Sequence, residues 1–141
     1  MTPTPWHFWP ILTLALVWHL ISTADYTATQ YDWEPWLKLM TERQQGFVQT
    51  MPDWVDALWA VTAWAGLLGV VLAIFRVGIA PFVLSVSAIA AIVTAAWFTV
   101  FPDPSLFELA GWLGLIVLWG SAAFAVALWL YVRDMHKIGT V

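Results

Sequence analysis

The segment of residues 51–76 constrains this fold most, because it is one apolar stretch long enough to cross a bilayer. At 1.5 Å per residue, a helix of about 18–28 residues covers about 27–42 Å, and the hydrocarbon core is about 30 Å thick. Pro52 suits the first position of such a helix and Asp53 suits its positive end, whereas Arg76 favours a stop. One carboxylate, Asp56, falls about one turn inside this predicted span.

The composition of the chain is that of a membrane protein. Of its 141 residues, 62% are hydrophobic and 10% are charged, whereas ordinary soluble domains carry roughly 25% charged residues. The chain has no cysteine, which excludes disulfides and thiolate metal sites. The net charge is −4 without a basic run, so we expect no nucleic-acid partner. The sequence shows no nucleotide-binding, metal-ligand or catalytic-triad motif, so we expect no enzyme and no resident cofactor.

Four apolar segments predict an all-α integral membrane protein, a four-helix bundle that forms a single domain. The predicted spans cover about residues 6–23, 53–75, 79–101 and 106–132. Residues 25–52 form a polar extramembrane loop, in which Thr41 and Gln44 fit a capping box and predict a helix over 41–49. Ser105 and Glu108 fit a second capping box at the start of the fourth span. Lys and Arg are absent before the first span, so we expect a retained helix there rather than a signal peptide.

Four spans place both chain termini on one side of the membrane. That side would hold Arg76, Arg133 and Lys137, whereas the opposite side would hold Lys38 and Arg43. Cytoplasmic segments carry the excess of Lys and Arg, so this distribution predicts cytoplasmic termini and an outer position for the acidic loop.

Four ionisable residues are predicted to meet beneath the loop as a polar cluster: His19, Asp25, Asp56 and Glu108. Charged groups inside spans usually face the bundle interior or a water-filled cavity. The alternative for Asp56 is a hydrated position near the membrane surface. His19 allows three interpretations: a hydrogen-bonded structural residue, a partner of a carboxylate with a proton role, or a ligand of haem or a chlorophyll-type pigment. Hydroxyl groups within the spans, including those of Thr62 and Thr94, are expected to bond their own backbone.

Tryptophans and small residues indicate how the spans pack. Four of the twelve tryptophans fall deep within spans, at positions 18, 59, 64 and 119. We expect them to pack inside the bundle; the alternatives are a lipid-facing groove, an aromatic ligand or a partner protein. Ala65 and Gly69 form a small-xxx-small pair that allows close helix approach. The predicted helix-packing residues are Trp59, Trp64, Ala65, Gly66 and Gly69.

An ordered series of residues carries a family pattern over about half of the chain. It comprises His7-Phe8-Trp9, Asp25-Tyr26, Thr29-Gln30, Thr41-Glu42 to Gln45, Phe47, Met51-Pro52, Trp54, Ala57-Leu58-Trp59-Ala60, Trp64-Ala65-Gly66, Gly69 and Arg76. This pattern resembles a family of small four-span bacterial membrane proteins that are often labelled sugar transporters. The resemblance implies a four-span topology and the bacterial inner membrane. His19 departs from it, because most members have an amide there, so a ligand role of His19 would be particular to this protein.

These features favour a non-enzymatic accessory or assembly subunit that packs against a larger membrane complex or against itself. Its partners would be the lipid bilayer and either a membrane protein or a second copy. One alternative is an oligomeric transporter of a small solute, sugar-like or ion-coupled, with His19, Asp25 and Asp56 lining an outer vestibule. A further alternative is a haem- or pigment-associated subunit that uses His19.

Overall fold

The structure, a computed structural model, describes residues 3–141, and helices are the regular structure in that range. The helices are α1 (Phe8–Gln30), α2 (Glu34–Leu37), α3 (Glu42–Gln49), α4 (Asp53–Ile74), α5 (Ala80–Val100) and α6 (Leu106–Lys137). Within the described range, α1, α4, α5 and α6 are each long and apolar enough to cross a membrane. The prediction of an all-α chain with four long apolar helices is confirmed.

The first helix extends further than the sequence predicted. It continues past Thr23 to Gln30, so the polar connection begins at Tyr31 rather than at Asp25. The hydroxyls of Thr23 and Thr29 donate to the carbonyl oxygens of His19 and Asp25, at 2.9 and 2.8 Å, and fit inside the helix. The last helix also extends beyond its predicted end, from residue 132 to Lys137.

Both predicted capping boxes are confirmed. The Thr41 hydroxyl accepts the N–H of Gln44 at 3.2 Å, and the Gln44 amide oxygen accepts the N–H of Thr41 at 3.0 Å. At the start of α6, the Ser105 hydroxyl accepts the N–H of Glu108 and the Glu108 carboxylate accepts the N–H of Ser105, at 3.3 and 2.9 Å. These bonds satisfy N–H groups that a helix start leaves without partners, so both helices begin where the local sequence dictates.

The long helices pack in the order α1, α4, α5 and α6. The beginning of α1 and the end of α6 lie together, at what we call the terminus end, where His7 Nδ1 and the Tyr131 hydroxyl are 2.7 Å apart. The main apolar core lies toward this end and includes Phe8, Leu12, Val70, Leu84, Leu128 and Val132. The opposite end, which carries α2 and α3, is the loop end.

The last helix is interrupted near the loop end. Gly111 has φ 61° and ψ −158°, a conformation that is essentially restricted to glycine, and it separates the first turn of α6 from the rest. The side chains of Trp112 and Leu113, directly after Gly111, are exposed. Farther along α6, Ala125 and Val132 are buried. The bundle is therefore closed at the terminus end and less tightly packed at the loop end.

Candidate functional site

A cavity of about 640 Å³ lies between all four long helices on the loop-end side. Aromatic and small aliphatic side chains form most of its wall, among them Trp18, Trp59, Ala63, Ala91, Phe98 and Leu118. Leu113 also lines it and is 73% exposed, so the cavity reaches the surface beside α6. Small-molecule sites in proteins are typically mostly apolar and about 300–1,000 Å³ in volume. We refer to this space as the loop-end cavity.

Several polar side chains of the loop-end cavity have nearby partners. The Thr62 hydroxyl donates to the carbonyl oxygen of Leu58 at 2.9 Å, and the Ser121 hydroxyl donates to that of Val117 at 2.6 Å. Thr62 therefore bonds its own helix, as predicted, and these hydroxyls are occupied within the protein.

Asp25 and Thr94 are two further polar residues of the cavity wall. Asp25 Oδ1 accepts the indole N–H of Trp36 at 3.0 Å, because α2 folds over the end of α1. Among the described residues, no Lys, Arg or His forms an ion pair with Asp25. The Thr94 side chain is only 5% exposed. The prediction that its hydroxyl bonds its own backbone is wrong, because this hydroxyl has no hydrogen-bond partner in the described range.

The residues predicted as one polar cluster make separate contacts. Asp56 Oδ1 accepts the side-chain N–H of Gln30 at 2.6 Å, whereas Glu108 caps α6. Asp56 lines a second, smaller cavity of about 230 Å³, next to Gln30 and Asp53, which supports a hydrated position for it. In the part of the chain that the structure describes, no three His or acidic residues are close enough to hold a metal ion. The three carboxylates accept hydrogen bonds from Gln30, Trp36 and Ser105, and none of them bonds His19 in the described range.

His19 lies in the packed interior between α1, α4, α5 and α6. The residue is 3% exposed, and its ring lies against Gly66 and Phe124. The centroids of the His19 and Phe124 rings are 6.5 Å apart. Neither ring nitrogen has a hydrogen-bond partner in residues 3–141. The neighbouring Ser87 hydroxyl instead donates to the carbonyl oxygen of Thr62 at 2.8 Å. A haem or pigment could reach this imidazole only by displacing its neighbours.

The glycines of α4 mark the closest helix contacts. A Cβ atom on Gly66 would collide with the His19 ring and lie 2.9 Å from the Ser87 hydroxyl. A Cβ atom on Gly69 would lie 2.6 Å from Leu84 of α5. Ala65, in contrast, is only partly buried, so the tight contacts are at Gly66 and Gly69. Residues three apart lie on one face of a helix, so α4 approaches α1 at Gly66 and α5 at both Gly66 and Gly69 along this face.

The four deep tryptophans divide into two pairs. Trp18 packs edge-on against Phe124 and Trp59 packs edge-on against Tyr26, with centroid distances of 5.9 and 5.1 Å. Trp119 is partly exposed and donates its N–H to the Thr99 hydroxyl at 3.0 Å. Trp64 is 51% exposed and Trp119 is 42% exposed, so the expectation of burial inside the bundle does not hold for these two in the single chain.

Two functional candidates were missed in the sequence, Trp36 and Thr94. Trp36 was visible only as an apolar residue in a polar loop, and nothing local indicates that it bonds Asp25. Thr94 lies three residues after Ala91 and four before Phe98, and this helical spacing places all three on the cavity side of α5. No family model, curated protein or solved structure matches this chain, and the resemblance to the four-span bacterial family stays a prediction.

Proposed function

We propose that the protein is a multi-pass protein of the bacterial inner membrane and a non-enzymatic subunit. In this role it packs against a helix of a larger membrane complex or against a second copy. Its termini lie in the cytoplasm, and α2 and α3 cover the outer end of the bundle. The observation that carries the proposal is the half-exposed indole of Trp64 at the centre of α4.

The position of Trp64 is unfavourable for a lipid-facing side chain. Trp64 lies at the midpoint of α4, about 15 Å from either end of the helix. Tryptophan prefers the headgroup level, and its N–H needs an acceptor that hydrocarbon does not provide. Among the described residues, none accepts a hydrogen bond from the Trp64 indole. A protein partner that covers this indole would remove both disadvantages.

The neighbours of Trp64 form a continuous contact surface. Val61 and Leu68 are three residues before it and four after it, and both are exposed. We call these three residues the Trp64 face. Because α1 and α5 already cover other sides of α4, the Trp64 face is the side that remains for another helix.

The charge distribution supports the proposed orientation. The terminus end carries Arg76, Arg133 and Lys137 with one nearby acid, Asp134, which pairs with both Arg133 and Lys137 at 3.4 and 3.5 Å. The loop end carries most of the acids. Basic groups on the terminus side favour a cytoplasmic location for that side.

A second candidate function is transport or binding of a small solute, and the loop-end cavity favours it. The wall of that cavity is mainly apolar, whereas a sugar requires several free hydrogen-bonding groups around it. The cavity therefore suits a solute with a largely apolar body better than a sugar-like one.

Substitution of Trp64 tests the subunit role. Wild-type protein in a mild detergent is expected to migrate as a dimer or with a co-purifying membrane protein, and Trp64→Leu is expected to migrate as a single chain. The change leaves an apolar residue but removes the large contact area that makes tryptophan important at interfaces. The measurement is molar mass by light scattering after size exclusion, with mass spectrometry of co-purified proteins.

Trp54→Leu is the matched control, because Trp54 lies on the same helix, is 54% exposed and sits near the loop end. We expect it to leave the assembly intact. A wild-type protein that always migrates alone, or an equal effect of the two substitutions, contradicts the proposal.

A further inference from the structure

We propose that the loop-end cavity binds an amphipathic organic amine, with Asp25 as the counter-ion of its ammonium group. This inference goes beyond the subunit role and concerns a different part of the molecule. The Trp64 face is the outer side of α4, whereas the cavity lies between the helices and reaches the surface beside α6.

The first argument is the charge of the cavity. Asp25 lies in its wall, half-buried, with one oxygen held by the Trp36 N–H. Lys38, a base in the adjoining connection, pairs instead with Glu34 at 2.6 Å. A carboxylate in a mainly apolar wall without a protein cation is complementary to a positively charged ligand, because pairing offsets the loss of hydration.

The second argument is the hydroxyl of Thr94. It is buried in the cavity wall without a hydrogen-bond partner among the described residues, and an unsatisfied buried polar group costs about 1–3 kcal/mol. Asp25 lies about 8 Å before the end of α1, measured along the helix. Thr94 lies at about the same distance before the end of α5. An ammonium group has three N–H donors, so a head group bound to Asp25 keeps donors for a second acceptor such as the Thr94 hydroxyl.

The third argument is the shape of the apolar part. Trp18 lies two turns below Asp25 on the cavity side of α1, which corresponds to about 10 Å along the helix. Trp59 and Phe98 add aromatic faces, which attract both an apolar body and a cation. The ligand is therefore expected to place its charged head near Asp25 and its apolar body toward Trp18.

Three small probes with the same body and different head groups test this inference. They are phenylbutylamine, phenylbutanol and phenylbutyrate, which carry an ammonium, a neutral and an anionic head at neutral pH. Equilibrium dialysis of the purified chain in a non-ionic detergent, corrected for protein-free micelles, measures their binding. We expect one amine per chain, with an affinity about tenfold or more above those of the alcohol and the carboxylate.

Substitutions assign the selectivity to the cavity. Asp25→Asn is expected to lower amine affinity about tenfold and to leave alcohol binding unchanged, because it removes only the charge. Thr94→Val is expected to lower amine affinity about threefold through the lost hydrogen bond. Asp103→Asn is the control, since Asp103 is an exposed acid at the loop end and does not line the cavity.

Ala110→Phe provides a second route that leaves Asp25 intact. Ala110 lines the cavity, so the added ring is expected to abolish binding of the amine and the alcohol alike. Circular dichroism of each variant checks that its helices are retained. Equal binding of amine and alcohol, or an unchanged preference for amine in Asp25→Asn, overturns the inference. Neither result affects the Trp64 proposal, which is measured by molar mass.

Discussion

Gly66→Ala is expected to lower the free energy of unfolding by about 2 kcal/mol, although alanine is the better helix former. The added methyl group would collide with the His19 ring and approach the Ser87 hydroxyl, and overpacking of this kind costs about 1–3 kcal/mol. The ring has little room to move, because it is 3% exposed. Alanine recovers at most about 1 kcal/mol of helix propensity. Denaturant titration in detergent micelles, followed by circular dichroism, measures the difference.

Gly120→Ala is the matched control for this substitution. Gly120 is in the interior of α6, and a Cβ atom there meets nothing within 4 Å. This change is expected to raise the free energy of unfolding by up to about 1 kcal/mol. In a His19→Ala background, the loss caused by Gly66→Ala should shrink, because the two positions contact each other. If Gly66→Ala were as stabilising as Gly120→Ala, the close contact of α1 with α4 would be refuted.

His19→Leu is expected to raise the free energy of unfolding by about 2 kcal/mol. Both imidazole nitrogens are buried without a partner among the described residues, and each such group costs about 1–3 kcal/mol. Leucine has a compact apolar side chain and suits the surroundings of Phe124 and Gly66. The same denaturant titration measures this gain.

His7→Leu is the control, because His7 lies at the start of the same helix and its ring contacts the Tyr131 hydroxyl at 2.7 Å. This substitution is expected to lower the free energy of unfolding by about 1 kcal/mol, because it breaks the hydrogen bond. Should His19→Leu destabilise the protein as well, its imidazole has a partner such as a buried water or a ligand. A visible absorption band that disappears in His19→Leu would identify that ligand as a haem or pigment.

The helices could be predicted from the sequence because their signals are local. The capping boxes of Thr41 and Ser105 need only a hydroxyl and an amide or carboxylate three residues later, and both form as predicted. The length of α4 follows from an uninterrupted apolar run. The end of α1 was placed too early because its last two turns are polar, and the threonines that support them bond back to the helix itself.

The candidate site was predicted less well, because its residues come from different helices. Asp25 was identified as a candidate, but its contact with Trp36 depends on how α2 folds over α1. His19 and Asp56 were expected to share a cluster. The structure places His19 in the packed interior and Asp56 beside Gln30. Glu108 serves the cap of α6, which is a local role that the sequence already indicated.

The sequence alone determined that this chain has four long apolar helices, that α3 and α6 begin at capping boxes and which end of the bundle is basic. Only the tertiary structure decided that Gly66 faces His19, that Trp64 faces outward and that a cavity remains at the loop end. The physical reason is that these spans are apolar around most of their circumference. A helix without a polar side carries no signal for the face that turns inward, so rotation and close approach are set by side-chain packing between helices.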